Sequence, residues 1–159
     1  MTNRWKGAAL GCAAAALTLV GAVPAQAIAG GSRSEAEQLR KLDIMLMVTG
    51  LRCRTTPDDF RADFAAFEAA HLSELNAAAA ELREGLVASA GVAGASRALD
   101  RISTGMANQY GQGHPWLDCA ELKQATRMLA RIHGRATLVE AADQLLAPAA
   151  TPQFARAER

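Results

Sequence analysis

The stretch PDDFRADFAAFEAAHLSELNAAAAELREGL, residues 57–86, carries an apolar or weakly polar side chain at every third or fourth position. This spacing places those side chains on one face of an α-helix. The stripe consists of Phe60, Phe64, Phe67, His71, Leu75, Ala78, Leu82 and Leu86. The pattern predicts a helix over residues 57–88, with its stripe in a core and a bend or break at 77–80 or near Gly85.

The residues just before the stripe carry the signals of a helix start. We predict Thr56 as the N-cap and Pro57 as the first helical residue. Asp58 and Asp59 follow in the first turn, where negative charge favours the helix dipole. Because this role explains the two adjacent acids, we expect no acid–base pair there.

Helical patterns cover the chain on both sides of this segment. We expect helices over 35–52, over 95–110, from 115–119 to 133, and from 137 to 147, with the small residues 89–96 as a connection. Capping boxes are predicted at Ser34 with Glu37, at Asp118 with Glu121, and at Thr137 with Glu140. The sequence therefore predicts an all-α fold, an up-down bundle of four to five helices.

The first 27 residues, MTNRWKGAALGCAAAALTLVGAVPAQA, have the pattern of a secretory signal peptide. A basic start precedes an apolar run of about 17 residues, shorter than the roughly 20 that span a bilayer. We predict cleavage after Ala27, a periplasmic or secreted protein, and no stable membrane anchor after cleavage. The predicted organisation is a signal peptide (1–27), a helical bundle domain (28–147) and a flexible tail (148–159).

Two cysteines, Cys53 and Cys119, remain after the predicted cleavage. A pair of cysteines in an oxidising compartment typically forms a disulfide. Short connections favour antiparallel neighbours, so the end of the first helix and the start of the fourth lie at the same end of the bundle. In a four-helix ring these two helices are adjacent. We therefore predict a Cys53–Cys119 disulfide.

The segment GQGHPWLDCAELK, residues 111–123, raises two other possibilities for Cys119. The thiol is a candidate nucleophile with His114 as its base, or a candidate metal ligand. The chain contains no C-x-x-C, H-E-x-x-H or C-x-x-C-H motif. We accordingly predict no catalytic residue, no metal site and no cofactor, haem included.

The remaining histidines have structural interpretations. His71 lies on the apolar stripe and is expected to be a partnered core or boundary residue. His133 is predicted in the last turn of the fourth helix, where a cation favours the dipole.

One group of side chains is a candidate binding surface at the disulfide end of the bundle. It comprises Arg52, Arg54, Tyr110, His114 and Trp116. Arginine, tyrosine and tryptophan often anchor protein interfaces. The alternative is that the aromatic rings pack over the disulfide and that the arginines cap the first helix.

Charge and composition restrict the partner classes. The chain has 17 Lys and Arg against 16 Asp and Glu, and aromatic residues form only 4% of it. Neither nucleic acid nor an anionic membrane is therefore an expected partner. The leading hypothesis is a non-catalytic protein that binds another macromolecule, as an envelope-stress or chaperone-like factor. The alternatives are a carrier of small apolar ligands, with a pocket among the phenylalanines of helix 2 and the methionines of helix 1, and an enzyme.

Two segments, LDIMLMVTGLRCRTTPDDF (42–60) and ANQYGQGHPWLDCAELKQAT (107–126), resemble a small family of exported all-helical bacterial proteins without an established role. The resemblance implies the fold and no mechanism. Some members carry an adenosylhomocysteine hydrolase label, but that enzyme needs a β-α-β unit and a G-x-G-x-x-G motif. This sequence has neither. A looser likeness, by analogy alone, is to acid-stress periplasmic chaperones of the Hde type, which are small, helical and held by one disulfide.

Overall fold

A computed structural model describes residues 25–147, with side chains from residue 34 onward. Within that range the chain forms five α-helices and no strand, so the predicted all-α bundle is confirmed. The helices are α1 (Ala25–Cys53), α2 (Arg61–Ala70), α3 (Leu72–Gln109), α4 (Cys119–Leu129) and α5 (Arg135–Leu146). The predicted tail and all but the last three residues of the predicted signal peptide lie outside the described residues.

Helix α1 lies at the centre of the bundle, where it contacts each of the other four helices. Its buried side chains are Ala36, Leu39, Leu42, Ile44, Met45, Leu46, Thr49 and Cys53. A helix that is apolar around so much of its circumference is stable only when neighbours cover it on several sides. The prediction that this helix is largely buried is confirmed. The predicted four-helix ring is wrong, because a ring would give α1 only two neighbours.

The turn between α1 and α2 uses its polar residues differently from the prediction. The hydroxyl of Thr56 donates to the carbonyl oxygen of Cys53 at 2.8 Å, so Thr56 caps the end of α1. Helix α2 starts only at Arg61, whose backbone N–H donates to Asp59 Oδ1 at 3.1 Å. The predicted start at Pro57 is therefore wrong by four residues.

Two of the three predicted capping boxes do not exist. Ser34 and Glu37 lie inside α1, which is continuous from Ala25. Thr137 and Glu140 lie inside α5, which begins after Gly134. Gly134 has a φ of 89°, a conformation that glycine adopts without the steric cost paid by other residues. A backbone turn, rather than a capping side chain, thus sets the start of α5.

The predicted helix over 57–88 breaks at His71, not at 77–80 or near Gly85. His71 has φ −118° and ψ 19°, which ends α2 and lets α3 begin at Leu72. Its side chain is 1% exposed, and its Nε2 lies 2.8 Å from the carbonyl oxygen of Leu129 at the end of α4. The prediction of a partnered core histidine is confirmed. The break therefore lies at a residue whose ring contacts a carbonyl that is distant in sequence.

A single glycine replaces the predicted connection over 89–96. Helix α3 continues to Gln109 and is interrupted only at Gly91, with φ 69° and ψ 165°. Leu86, Ala95 and Ala98 form a small core cluster across this kink. On a straight helix Leu86 and Ala95 would be roughly 13 Å apart. The cluster therefore shows that the two arms of α3 fold toward each other.

The predicted apolar stripe faces the core of the bundle. Phe60, Phe67 and Ala78 are fully buried in the main core. The ring of Phe60 comes so close to Gly50 of α1 that a Cβ on that glycine would stand 3.4 Å from Phe60 Cε2. The bare glycine backbone thus lets the start of α2 pack tightly on the central helix.

Helix α4 is shorter than predicted. It ends at Leu129, so His133 is an exposed residue of the connection to α5 and not part of the last helical turn. The predicted helix-capping role of His133 is wrong. Among residues 25–147, no helix combines the length and the apolar character that crossing a bilayer would require.

Candidate functional site at the disulfide end

Cys53 and Cys119 form a disulfide that links the end of α1 to the start of α4. The two sulfur atoms are 2.00 Å apart and the Cα atoms 5.8 Å apart. Cys53 is buried, whereas Cys119 is partly exposed. The predicted pairing is confirmed, although α1 occupies a central position instead of one place in a ring.

A complete capping box positions Cys119 as the first residue of α4. The backbone N–H of Glu121 donates to Asp118 Oδ1, and the backbone N–H of Asp118 donates to Glu121 Oε2, both at 2.9 Å. This is the one predicted capping box that the structure confirms. It fixes the direction in which α4 leaves the disulfide.

Replacing Asp118 by alanine should lower the free energy of unfolding by about 1 kcal/mol, because the backbone N–H of Glu121 in the first turn of α4 loses its side-chain acceptor. Thr137→Ala is the matched control: Thr137 lies inside α5 and caps nothing, so a change within roughly 0.5 kcal/mol is expected. Urea denaturation followed by circular dichroism measures both. Equal losses in the two variants would contradict the capping role of Asp118.

Residues 110–118 form the α3–α4 connection. The side chain of His114 in this segment contacts α5. Its Nε2 lies 3.1 Å from the carbonyl oxygen of Leu145, and the backbone N–H of Leu117 donates to its Nδ1 at 3.1 Å. Burial lowers the pKa of His114 from its ordinary value, against the opposing effects of the Leu145 carbonyl and the Glu121 carboxylate. Burial therefore favours the neutral form of the ring.

Three aromatic rings form a row at this end of the bundle. The rings of Tyr110 and His114 are stacked, with centroids 5.9 Å apart. The ring of Trp116 meets His114 edge-on, at a centroid distance of 4.7 Å. Tyr110 is buried, and Trp116 is 36% exposed. The row thus runs from the core to the surface, and Trp116 is its exposed end.

The two arginines of the candidate surface are exposed, and each has a backbone partner. Arg52 Nη1 donates to the carbonyl oxygen of Gly111 at 3.0 Å, and Arg54 Nη1 donates to that of Leu51 at 2.9 Å. Arg54 thereby caps the carboxyl end of α1, and Arg52 joins α1 to the α3–α4 connection. The capping role considered for the arginines therefore applies to Arg54 and not to Arg52, and both side chains remain exposed at the surface.

A cleft of about 340 Å³ lies beside the disulfide, with Cys53, Cys119, Arg52 and His114 on its walls. Sulfur atoms joined in a disulfide are not nucleophiles. Both ring nitrogens of His114 face backbone groups. The site therefore does not contain the nucleophile–base pair that the sequence raised as a possibility.

A groove between α4 and α5 was missed by the sequence analysis. It has a volume of about 340 Å³ and is lined by Ala125, Met128, Leu129, Ile132, Ala141, Gln144 and Leu145. Met128 is 57% exposed. The signal in the sequence is the helical spacing of Ala125, Met128 and Leu129, which Ile132 continues just after the end of α4.

No protein-family model, curated protein or solved structure matches this chain. Within the described range, no three His, Cys, Asp or Glu side chains converge as they would around a metal ion. Any functional interpretation therefore rests on the geometry of the disulfide end and of the α4–α5 groove.

Proposed function

We propose that the protein is a non-catalytic helical protein that binds another macromolecule, a protein, through its disulfide end. The observation that carries this proposal is the setting of Trp116. Trp116 stays 36% exposed although its ring packs edge-on against a histidine that is hydrogen-bonded to the backbone on both sides. A large ring held in place before binding loses little conformational entropy when a partner covers it.

The residues around Trp116 fit an interface of this kind. Tryptophan and arginine carry much of the binding energy at protein interfaces, and Arg52 and Arg54 are exposed at the same end. Tyr110 is buried, so its contribution is to support His114 rather than to touch a partner. The proposed contact surface therefore consists of Arg52, Arg54 and Trp116.

We also propose that the protein is exported and acts in the periplasm or outside the cell, in line with the resemblance to exported helical proteins. The disulfide supports this location, since such bonds persist in oxidising compartments. Cell fractionation followed by intact-mass measurement tests it. A periplasmic or secreted chain that starts at Ile28 and gains two reactive thiols only after reduction is expected; a full-length chain with free thiols that stays in the cytoplasm would contradict export.

Photo-crosslinking in living cells tests the binding surface. A photoreactive phenylalanine analogue is placed at Trp116, and in a separate variant at Met128, which is more exposed but lies in the α4–α5 groove. We expect a discrete product of higher mass from position 116, reduced at least about fivefold when Arg54→Ala is added, since loss of 1 kcal/mol is a factor of about five. Products from both positions alike, or no effect of Arg54→Ala, would reject this surface.

The second candidate is a carrier of small apolar ligands, and the α4–α5 groove is the observation that favours it. Its location differs from the prediction: Phe60, Phe67 and Met45 are fully buried in the core. Native mass spectrometry of protein isolated from the periplasm distinguishes the two functions. A bound molecule that is lost in Met128→Asp supports the carrier, and a bare mass counts against it.

A further inference from the structure

The sulfur-containing side chains of the described residues differ in their access to an oxidant. Cys53 and Cys119 are joined in the disulfide, so neither presents the thiol that oxidants usually attack first. In the described part of the chain, the sulfur left for oxidation therefore belongs to methionines. They are Met45, Met47, Met106 and Met128.

Two of these methionines are protected by the core. Met45 is fully buried, and its Sδ faces the hydroxyl of Thr49 at 3.9 Å. Met106 is also buried, on the inner side of α3. An oxidant has to reach the sulfur before it can transfer oxygen, so both side chains should react slowly while the bundle is folded.

The other two methionines are exposed, and they lie in different surroundings. Met128 is 57% exposed on α4 and lines the α4–α5 groove. Met47 is 42% exposed on α1 and is not part of the groove wall. The described residues thus offer one accessible thioether inside an apolar groove and one outside it. An oxidant that reacts with both changes the wall of the groove through Met128 only.

We propose that Met128 is an oxidation site, through which oxidants of the peroxide class switch the α4–α5 groove from apolar to polar. Hydrogen peroxide transfers one oxygen atom to the Sδ atom of Met128. The sulfur gives up two electrons and becomes a sulfoxide, so it is oxidised. The O–O bond of the peroxide breaks, and its other oxygen leaves with both protons as water, so the peroxide is reduced.

The effect on the groove follows from its lining. Apart from Gln144, every described residue on its wall has an apolar side chain. A sulfoxide is polar, and an apolar ligand gives its oxygen no hydrogen-bond donor, so oxidation should weaken the binding of apolar ligands. The switch regulates the second candidate function, the carrier, and rests on it. Methionine sulfoxide reductases restore the thioether, so the change is reversible.

Peptide mapping and a fluorescence titration, both on protein treated with hydrogen peroxide, test the switch. Mapping by mass spectrometry should show that Met128 and Met47 gain oxygen at least about tenfold faster than Met45 and Met106. The titration uses Nile red, an uncharged dye that fluoresces in apolar surroundings. Its affinity for the oxidised protein should be at least about fivefold lower than for the untreated protein.

Two variants assign the effect to one sulfur. In Met128→Leu, the ratio of dye affinities before and after peroxide should be close to one, whereas the matched control Met47→Leu should show the same loss as the wild-type protein.

Slow oxidation of Met128, equal affinities before and after its oxidation, or a loss that persists in Met128→Leu would each overturn the switch alone. Untreated protein that does not bind Nile red would overturn the carrier function together with the switch. Neither measurement involves Trp116, so the proposed protein-binding surface is tested separately.

Discussion

Reducing the Cys53–Cys119 disulfide is expected to lower the free energy of unfolding by about 4 kcal/mol. The bond joins residues 66 positions apart, and in the chain-entropy model a closed loop of that length restricts the unfolded chain by this amount. Domains are commonly stable by only about 5–15 kcal/mol, so the reduced protein should unfold at a much lower denaturant concentration. Guanidinium denaturation with and without a phosphine reductant measures the difference.

The double variant Cys53→Ala/Cys119→Ala separates the bond from side effects of the reductant. This variant should match the reduced wild-type protein to within about 1 kcal/mol and should not respond to the phosphine. If the oxidised and reduced wild-type proteins unfold at the same midpoint, the disulfide does not stabilise the bundle. In that case the contacts of α1 with α4 suffice to hold this end together.

Substitution Phe67→Ala should cost about 3–5 kcal/mol of folding free energy, the range for truncating a large ring in a packed core. Phe67 is fully buried and its ring centroid lies 5.2 Å from that of His71. The cavity would open beside the residue that joins α2, α3 and the end of α4. The variant should therefore also destabilise the chain around the α2–α3 break. This effect should appear as faster amide hydrogen exchange over residues 67–75.

Phe64→Ala is the matched control for this prediction. Phe64 lies one turn earlier on α2 and its ring is 6.2 Å from that of Phe67, but it is only half-buried. Truncation there removes less area from the core, and a loss of about half that of Phe67→Ala is expected. Urea denaturation curves of the two variants give the comparison. Similar losses would mean that the two rings contribute equally and that burial of Phe67 has no special weight.

The stripe from Phe60 to Leu86 shows which features of the fold helical periodicity predicts and which it does not. It correctly identified the face that packs in the core, although Phe64 and Leu75 on that face are only half-buried, because a helical face keeps its register across a short interruption. It did not locate the interruption at His71, whose ring contacts the carbonyl of Leu129, 58 residues away. Sequence patterns indicate helix breaks through neighbouring residues such as glycine and proline, whereas the contact at His71 joins residues that are distant in sequence.

A predicted capping box was confirmed only where the helix actually begins at the capping residue. Asp118 and Glu121 follow a Gly- and Pro-containing connection, and both hydrogen bonds of the box form. Ser34 with Glu37 has the same chemistry, but the helix continues through it. Thr56 was assigned to the wrong helix because its hydroxyl stabilises the end of α1 and not the start of α2. A polar side chain near a helix end is compatible with either role.

At the candidate site, the residues were predictable but their roles were not. The two segments joined by the disulfide contain all five residues of the candidate surface, as the topology implied. These residues are Arg52, Arg54, Tyr110, His114 and Trp116. Sequence alone did not separate the buried Tyr110 from the exposed Trp116. It also did not reveal that His114 contacts α5, since that contact spans 31 residues and involves only backbone groups of its partners.

The sequence by itself determined the helical class, the buried stripe and the cysteine pair, because each depends on local spacing or on the inventory of residues. Only the tertiary structure decided the central position of α1, the break at His71, the fold-back at Gly91 and the contact of His114 with α5. These features depend on which carbonyls and apolar faces meet across the bundle. That choice is made by packing between distant segments, which no local pattern encodes.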